Sequence, residues 1–152
     1  MRIYLDNCCY NRPYDDQSQV AISLEAQAKL HIQELIRKNE IELVSSWFIT
    51  YENSKNPHDL RRKAIEEFLQ DNVSIFVSSY YKPEVEKLIN PIMNSGIKLM
   101  DACHIACAIL TKCNCILTTD KRMLKYHSDL IEVLNPTELV LRMEETENAN
   151  SN

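Results

Sequence analysis

Short apolar runs alternate along this chain with longer segments whose apolar residues recur every three or four positions. The short runs read as strands at Arg2 to Leu5, Ile41 to Ser45 and Val73 to Val77. "CILTT" at 115–119 and "IEVL" at 131–134 supply a fourth and a fifth. Between them, Val20, Leu24, Ala28, Ile32, Leu35 and Ile36 recur at helical spacing and predict a long helix over about 18–38. A second helix starts near Ser46 and stops before Pro57, because a residue preceding proline disfavours the helical region. A third covers His58 to Gln70, with Leu60, Ala64, Ile65, Phe68 and Leu69 expected inward.

Pro83 suits the first turn of the next helix, and Gly96, the single glycine, suits its C-terminal cap. "MDACHIACAILTK" predicts a buried helix beginning near Asp101, and "NPTELVLRM" a short last one. The polar residues 144–152 are expected to form a disordered tail behind a single domain over 1–143. "NRPYDDQ" reads as a polar turn. Strands alternating with helices imply an α/β fold around a mostly parallel sheet, whose sites lie outside the carboxyl ends of the strands.

Composition narrows this picture without changing it. The 152 residues are 45% hydrophobic and 26% charged, ordinary values for one globular domain. No apolar run reaches the ~18 residues of a spanning helix, and no basic-then-apolar leader opens the chain, so a soluble cytoplasmic protein is expected. A net charge of -5 does not advertise a nucleic-acid binder. A polyanionic substrate would need bound cations or a local basic patch. The six cysteines are Cys8, Cys9, Cys103, Cys107, Cys113 and Cys115. The last four do not show the spacing of paired zinc knuckles, and Cys103 and Cys107, one helical turn apart, read as small packing residues of a helix against a sheet. Cys8 and Cys9 follow a strand, which brings one of them near its end.

What does change the picture is a set of carboxylates. Asp6 closes the first strand and Asp120 the fourth, Asp101 sits at the start of the buried helix, and Glu52 lies on the helix after the second strand. Right-handed crossovers bring the ends of neighbouring parallel strands together, so the four can converge. Clustered carboxylates repel, and some would take up protons unless a divalent cation removed the conflict. Hard oxygen ligands suit Mg²⁺ or Mn²⁺, and such ions support in-line attack of water on a phosphodiester. Each acid also has a plainer reading: an N-cap for Asp101, a turn residue for Asp120, a solvated helix residue for Glu52. Asp6, set directly against an apolar strand, is hardest to explain so.

At these residues the chain resembles the PIN-domain family, metal-dependent nucleases that include VapC-type toxins. "IYLDNCCYNRPYDD" is similar to the family's opening strand with the first acid, and "SSWFITYE" to the segment with the second. "GIKLMDACHIACAI" resembles the third and "CILTTDKRMLK" the fourth, so the likeness spans roughly residues 1 to 137. The resemblance implies a three-layer α/β/α sandwich and a Mg²⁺- or Mn²⁺-dependent endoribonuclease, with Asp6, Glu52, Asp101 and Asp120 as metal-binding catalytic acids. It also implies a homodimer and, for a toxin, an antitoxin protein that blocks the acidic groove. Family members commonly carry Ser or Thr after the first acid; here Asn7 stands, an amide able to hydrogen-bond a carboxylate, and it is a secondary site residue.

His104 follows Asp101 by three positions on roughly the same helix face; it could touch a phosphate or a carboxylate, or be a buried, hydrogen-bonded structural histidine. Asp15 and Asp16 either join the acids or cap the long helix. Arg61, Arg62, Lys121 and Arg122 are candidate contacts to an RNA backbone, against the alternative of a solvated charged face, and Tyr80 and Tyr81 could stack a base or pack at the rim. A PIN-like module that binds RNA or protein without cutting is the competing reading. A receiver-type phosphoacceptor is disfavoured, because "SSYYKP" after the third strand holds no aspartate.

Overall fold

The computed structural model describes residues 1–151. Its centre is a five-stranded, all-parallel sheet in the order β3-β2-β1-β4-β5, with β1 at Arg2–Leu5, β2 at Glu42–Ser46, β3 at Val73–Val77, β4 at Cys115–Leu117 and β5 at Glu132–Leu134. Ile3, Tyr4 and Leu5 of β1 are fully buried, as a central parallel strand covered on both faces requires. The edge strand β3 instead leaves Phe76 about half exposed.

Seven helices flank the sheet and complete the three-layer arrangement: α1 Asn7–Asn11, α2 Val20–Arg37, α3 Trp47–Ser54, α4 Asp59–Asn72, α5 Lys82–Asn94, α6 Leu99–Leu110 and α7 Pro136–Ser151. α6 packs against β1, β2 and β4 as well as α5, while α2 packs against α7. Small residues let α6 approach the sheet: Ala102, Cys103, Ala106, Cys107 and Ala108 are all buried. The order of strands places β1 and β4 side by side although about 110 residues separate them in sequence. The order in which strands are added reverses between them, first outward through β2 and β3 and then through β4 and β5, and in parallel sheets such a switch opens a crevice at the carboxyl ends. Among the described residues no helix is long and apolar enough to cross a membrane.

The structure departs from the expected pattern in several places. In α2 the stripe facing the core runs through Ala26, Lys29, Ile32 and Ile36, so Val20 and Leu24 are exposed, while Lys29 is buried with its ammonium over the rings of Tyr10 and Phe68. Leu60 is 87% exposed, because it sits in the first turn of α4, ahead of Ile65 and Phe68, which meet the core. α7 continues through residues 144–151 where a disordered tail was expected. Those residues carry no core face, but neither Gly nor Pro interrupts them, and Thr146 and Ser151 hydroxyls bond carbonyls one turn back. α1 was not expected, since five residues are too few to show a helical period.

The segment after α1 is ordered around Arg12, which pairs with Asp15 at 3.0 Å and Glu25 at 3.4 Å. Asp16 accepts from Ser18, and Gln19 is the N-cap of α2, so neither aspartate caps that helix.

Gly96 follows α5 at φ +95°, a conformation that L side chains rarely adopt, although a Cβ there would meet nothing within 4 Å. Gly96→Ala should therefore lower stability by about 1 kcal/mol through backbone strain alone. Urea unfolding checks this: the midpoint should fall with the slope unchanged.

Candidate active site

The crevice at the switch between β1 and β4 is built around Asp6. Its backbone N–H bonds the carbonyl of Leu117 at 2.9 Å, continuing the β1–β4 ladder by one residue. Its side chain then turns into the crevice as the N-cap of α1. One carboxylate oxygen accepts from the Asn7 N–H at 2.8 Å; the other accepts from the Thr118 hydroxyl at 2.9 Å and the Cys8 thiol at 3.3 Å. A buried charge with three donors is held in one orientation.

Glu52 reaches the same point from α3, and His104 from α6. Asp6, Glu52 and His104 each present a ligand-type atom within 4.8 Å of the others. This trio is the close group, in place of the four carboxylates expected; His104 takes a position that the sequence reading gave to Asp101 or Asp120. His104 Nε2 hydrogen-bonds Glu52 Oε1 and lies 3.7 Å from Asp6 Oδ1. On its other side, Nδ1 bonds the Tyr4 hydroxyl at 2.6 Å, and that hydroxyl bonds Ser46 Oγ at 2.6 Å. A nitrogen facing a carboxylate carries the proton, so Nε2–H donates to Glu52. Nδ1 then accepts from Tyr4, and Tyr4 accepts from Ser46. Burial above all holds the Tyr4 phenol well above its usual range, so it remains a donor. Because His104 is fully buried, it is not an RNA-backbone contact; it is a structural histidine that fixes Glu52.

Asp101 occupies the first turn of α6, whose N-cap is Lys98, so it is not the capping residue. Its half-buried carboxyl is pushed up to about 6, first by burial, then by the charges of Asp6 and Asp120, with Glu52 adding. Asp101 is therefore in electrostatic reach of all three other acids. Asp120 is exposed, and its carboxylate accepts from the Arg122 and Met123 N–H groups at 2.8 and 3.3 Å, the turn role that its position suggested. Thr118 Oγ1 joins the two ends, donating to Asp6 and accepting from the Asp120 N–H at 3.1 Å.

The donor set fits a hard divalent cation. Carboxylate oxygens dominate it, Asp101 carries the strain of their repulsion, and the buried Oδ1 of Asn7, next to Asp6, accepts no hydrogen bond from the protein. The cysteines do not compete for a metal: Cys103, Cys107, Cys113 and Cys115 are buried free thiols, and burial pushes each up to about 11 or 12.

Of the basic candidates, Lys121 and Arg122 are exposed beside Asp120. Arg62 is engaged by Asp59 and by the Asn56 carbonyl. Arg61 bonds the Tyr14 carbonyl and lies over its ring. Tyr80 and Tyr81 pack edge to face on each other at the surface. The sequence reading overlooked Thr118, Tyr4 and Ser46. Their signal was a polar group inside or just beyond a buried strand, which alternation alone does not separate from a β-forming filler.

A family model described as PIN domain matches residues 3–128. No curated protein sequence matches the chain significantly. Among solved structures, the chain is similar to one in the crystal structure of VapBC2 from Rickettsia felis bound to a DNA fragment from their promoter. The TM-score is 0.55 at 12% identity, over 89% of this chain and 98% of that one.

Two outcomes follow from the geometry. Tyr4→Phe leaves both His104 Nδ1 and Ser46 Oγ buried without a partner, and should cost about 1–3 kcal/mol in urea unfolding. Asp101 binds its proton more tightly folded than unfolded. Its contribution is thus full below about pH 4 and is lost as pH rises through about 6. In chelator-treated protein, Asp101→Asn should raise stability at pH 7 by on the order of 1 kcal/mol, after allowance for solvent screening. The variant should also flatten the decline of Tm between pH 4 and pH 6; an unchanged profile would contradict the electrostatic account.

Proposed function

Because this chain belongs to the PIN-domain family, we propose that it is a Mg²⁺- or Mn²⁺-dependent endoribonuclease whose centre is formed by Asp6, Glu52, Asp101 and Asp120. The observation that carries this reading is the meeting of Asp6 and Glu52 at the strand switch, with ligand-type atoms within 4.8 Å of each other and of His104. The carboxyl of Asp101, raised first by burial and then by the charges of Asp6 and Asp120, supports it, since a concentration of negative charge favours a bound cation. Asp6, Glu52 and Asp101 would hold the metal, with Asp120 at the exposed rim. When bound, a divalent ion supplies the charge compensation and Lewis acidity that phosphodiester hydrolysis needs.

The chain's own groups do the positioning. Thr118, Cys8 and the Asn7 N–H lock the Asp6 carboxylate. The series Ser46–Tyr4–His104 orients Glu52 from behind. Asn7 Oδ1, free of protein partners, can accept from a water in the crevice. Lys121 and Arg122 give an otherwise acidic protein local cations beside the site, suited to draw in a phosphate backbone without reading bases. Likeness to a VapBC2 chain supports extending the proposal to the toxin of a type II toxin–antitoxin pair. A homodimer is its assembly and an antitoxin protein its partner.

The test is cleavage of a panel of structured and single-stranded RNAs in Mn²⁺, in Mg²⁺ and in EDTA. Wild type should cut in either metal and stop in EDTA. Asp101→Asn should lose roughly 100-fold or more of the rate while remaining folded. Full activity in Asp101→Asn, or persistence after thorough chelation, would overturn the assignment. RNA binding by a folded wild type that never cuts would favour a silent PIN-like binding module instead.

A further inference from the structure

A mainly apolar cavity with a few polar groups lies away from the acids, between α3, α4 and the β2–β3 edge of the sheet. Its volume is about 380 Å³, the scale of a small-molecule site. Two of its lining residues, Ser45 on β2 and Asn53 on α3, are each 1% exposed. Ser45 Oγ and Asn53 Oδ1 have no hydrogen-bond partner in the protein. The amide orientation of Asn53 is not arbitrary: its Nδ2 donates to the Arg62 carbonyl at 3.1 Å. A carbonyl only accepts, so the oxygen is the end left to face elsewhere. Buried polar atoms are almost always satisfied, and two orphans in one cavity mark a place for a ligand.

The remaining lining defines its chemistry. Leu69, Val73 and the half-exposed Phe76 form an apolar wall, and Thr50 and Gln70 add neutral polar groups. Glu66 at the rim is the one charged lining residue. Arg62, the nearest cation, stands 4.0 Å from Glu66 and is already held by Asp59 and the Asn56 carbonyl. An unpartnered amide oxygen and hydroxyl inside, a carboxylate at the mouth and no cation in the lining disfavour a phosphate. They suit an N–H donor of positive charge on an aliphatic stem.

We propose that this cavity binds an alkylguanidinium or alkylammonium group, its head on Ser45 Oγ, Asn53 Oδ1 and Glu66 and its stem along Leu69, Val73 and Phe76. Such a group occurs on free small amines and on the side chains of arginine and lysine, and both sources share these contacts. Asn53 directly follows Glu52 on α3, so an occupant would touch the helix that carries one of the acids.

The experiment is an amide NMR titration of the full chain with n-butylguanidinium, n-butylammonium and, as a neutral control, butyramide. A capped Gly-Arg-Gly peptide serves as a further arm. Saturable shifts at the Asn53 side-chain amide and the Ser45 N–H are expected with both cations and not with butyramide. Ser45→Ala and Glu66→Gln should each weaken binding about tenfold. Ser45→Ala removes only an unpartnered hydroxyl, so folding is not at risk. Binding of the peptide as tight as that of free butylguanidinium assigns the site to a partner's side chain. Weaker binding of the peptide assigns it to a free amine. No saturable shift, equal response to butyramide, or affinities unchanged in both variants would overturn the proposal.

Discussion

The molecule is organised around one buried negative charge at the end of its central strand. A carboxylate taken out of water is costly unless donors replace the solvent. Asp6 obtains them from a helix N-terminus, a thiol and a threonine that arrives on the adjacent strand. Satisfying it requires α1 to start immediately after β1, and β4 to lie beside β1 in register. The same register places Asp120 at the rim, two residues beyond Thr118. Fold and site are thus one arrangement seen at two scales.

A second constraint operates behind Glu52. Ser46, Tyr4 and His104 are fully buried polar groups, each from a different element. In a low-dielectric interior such groups are tolerable only as a connected set. The chain of bonds ends on the half-buried Glu52, so the interior's need for satisfied hydrogen bonds becomes the means of aiming a carboxylate. Aromatic neighbours reinforce it: Phe48 meets the His104 ring edge on, at 6.2 Å between centroids.

Much of this was legible in the residues. "RIYL", "VSIFV" and the run of small residues in "MDACHIACAIL" announce a buried parallel sheet with a close-packed helix, and Asp6 stands out as an acid pressed against an apolar strand. Periodicity could not say which of two neighbouring stripes on α2 faces inward, because Val20 and Leu24 belong to one and Lys29 to the other. The stem of Lys29 is apolar enough to bury, and its ammonium finds two rings. The close trio was legible only in part. His104 was visible as a residue on the Asp101 face of its helix. Its role depends on Tyr4 and Ser46, 100 and 58 positions away, and hydrogen bonds of that span leave no local trace.

The register of β4 against β1 has a bearing on how the protein comes into being. The hydrogen bond from the Asp6 N–H to Leu117 and the one from Thr118 to its carboxylate close loops of 111 and 112 residues. Closing long loops is what slows folding, since chain entropy must be lost before the contact rewards it. A ribosome has therefore made Leu117 and Thr118 before the first acid can be fixed in place. Any chemistry at the crevice is denied to a nascent chain that has not yet reached these residues.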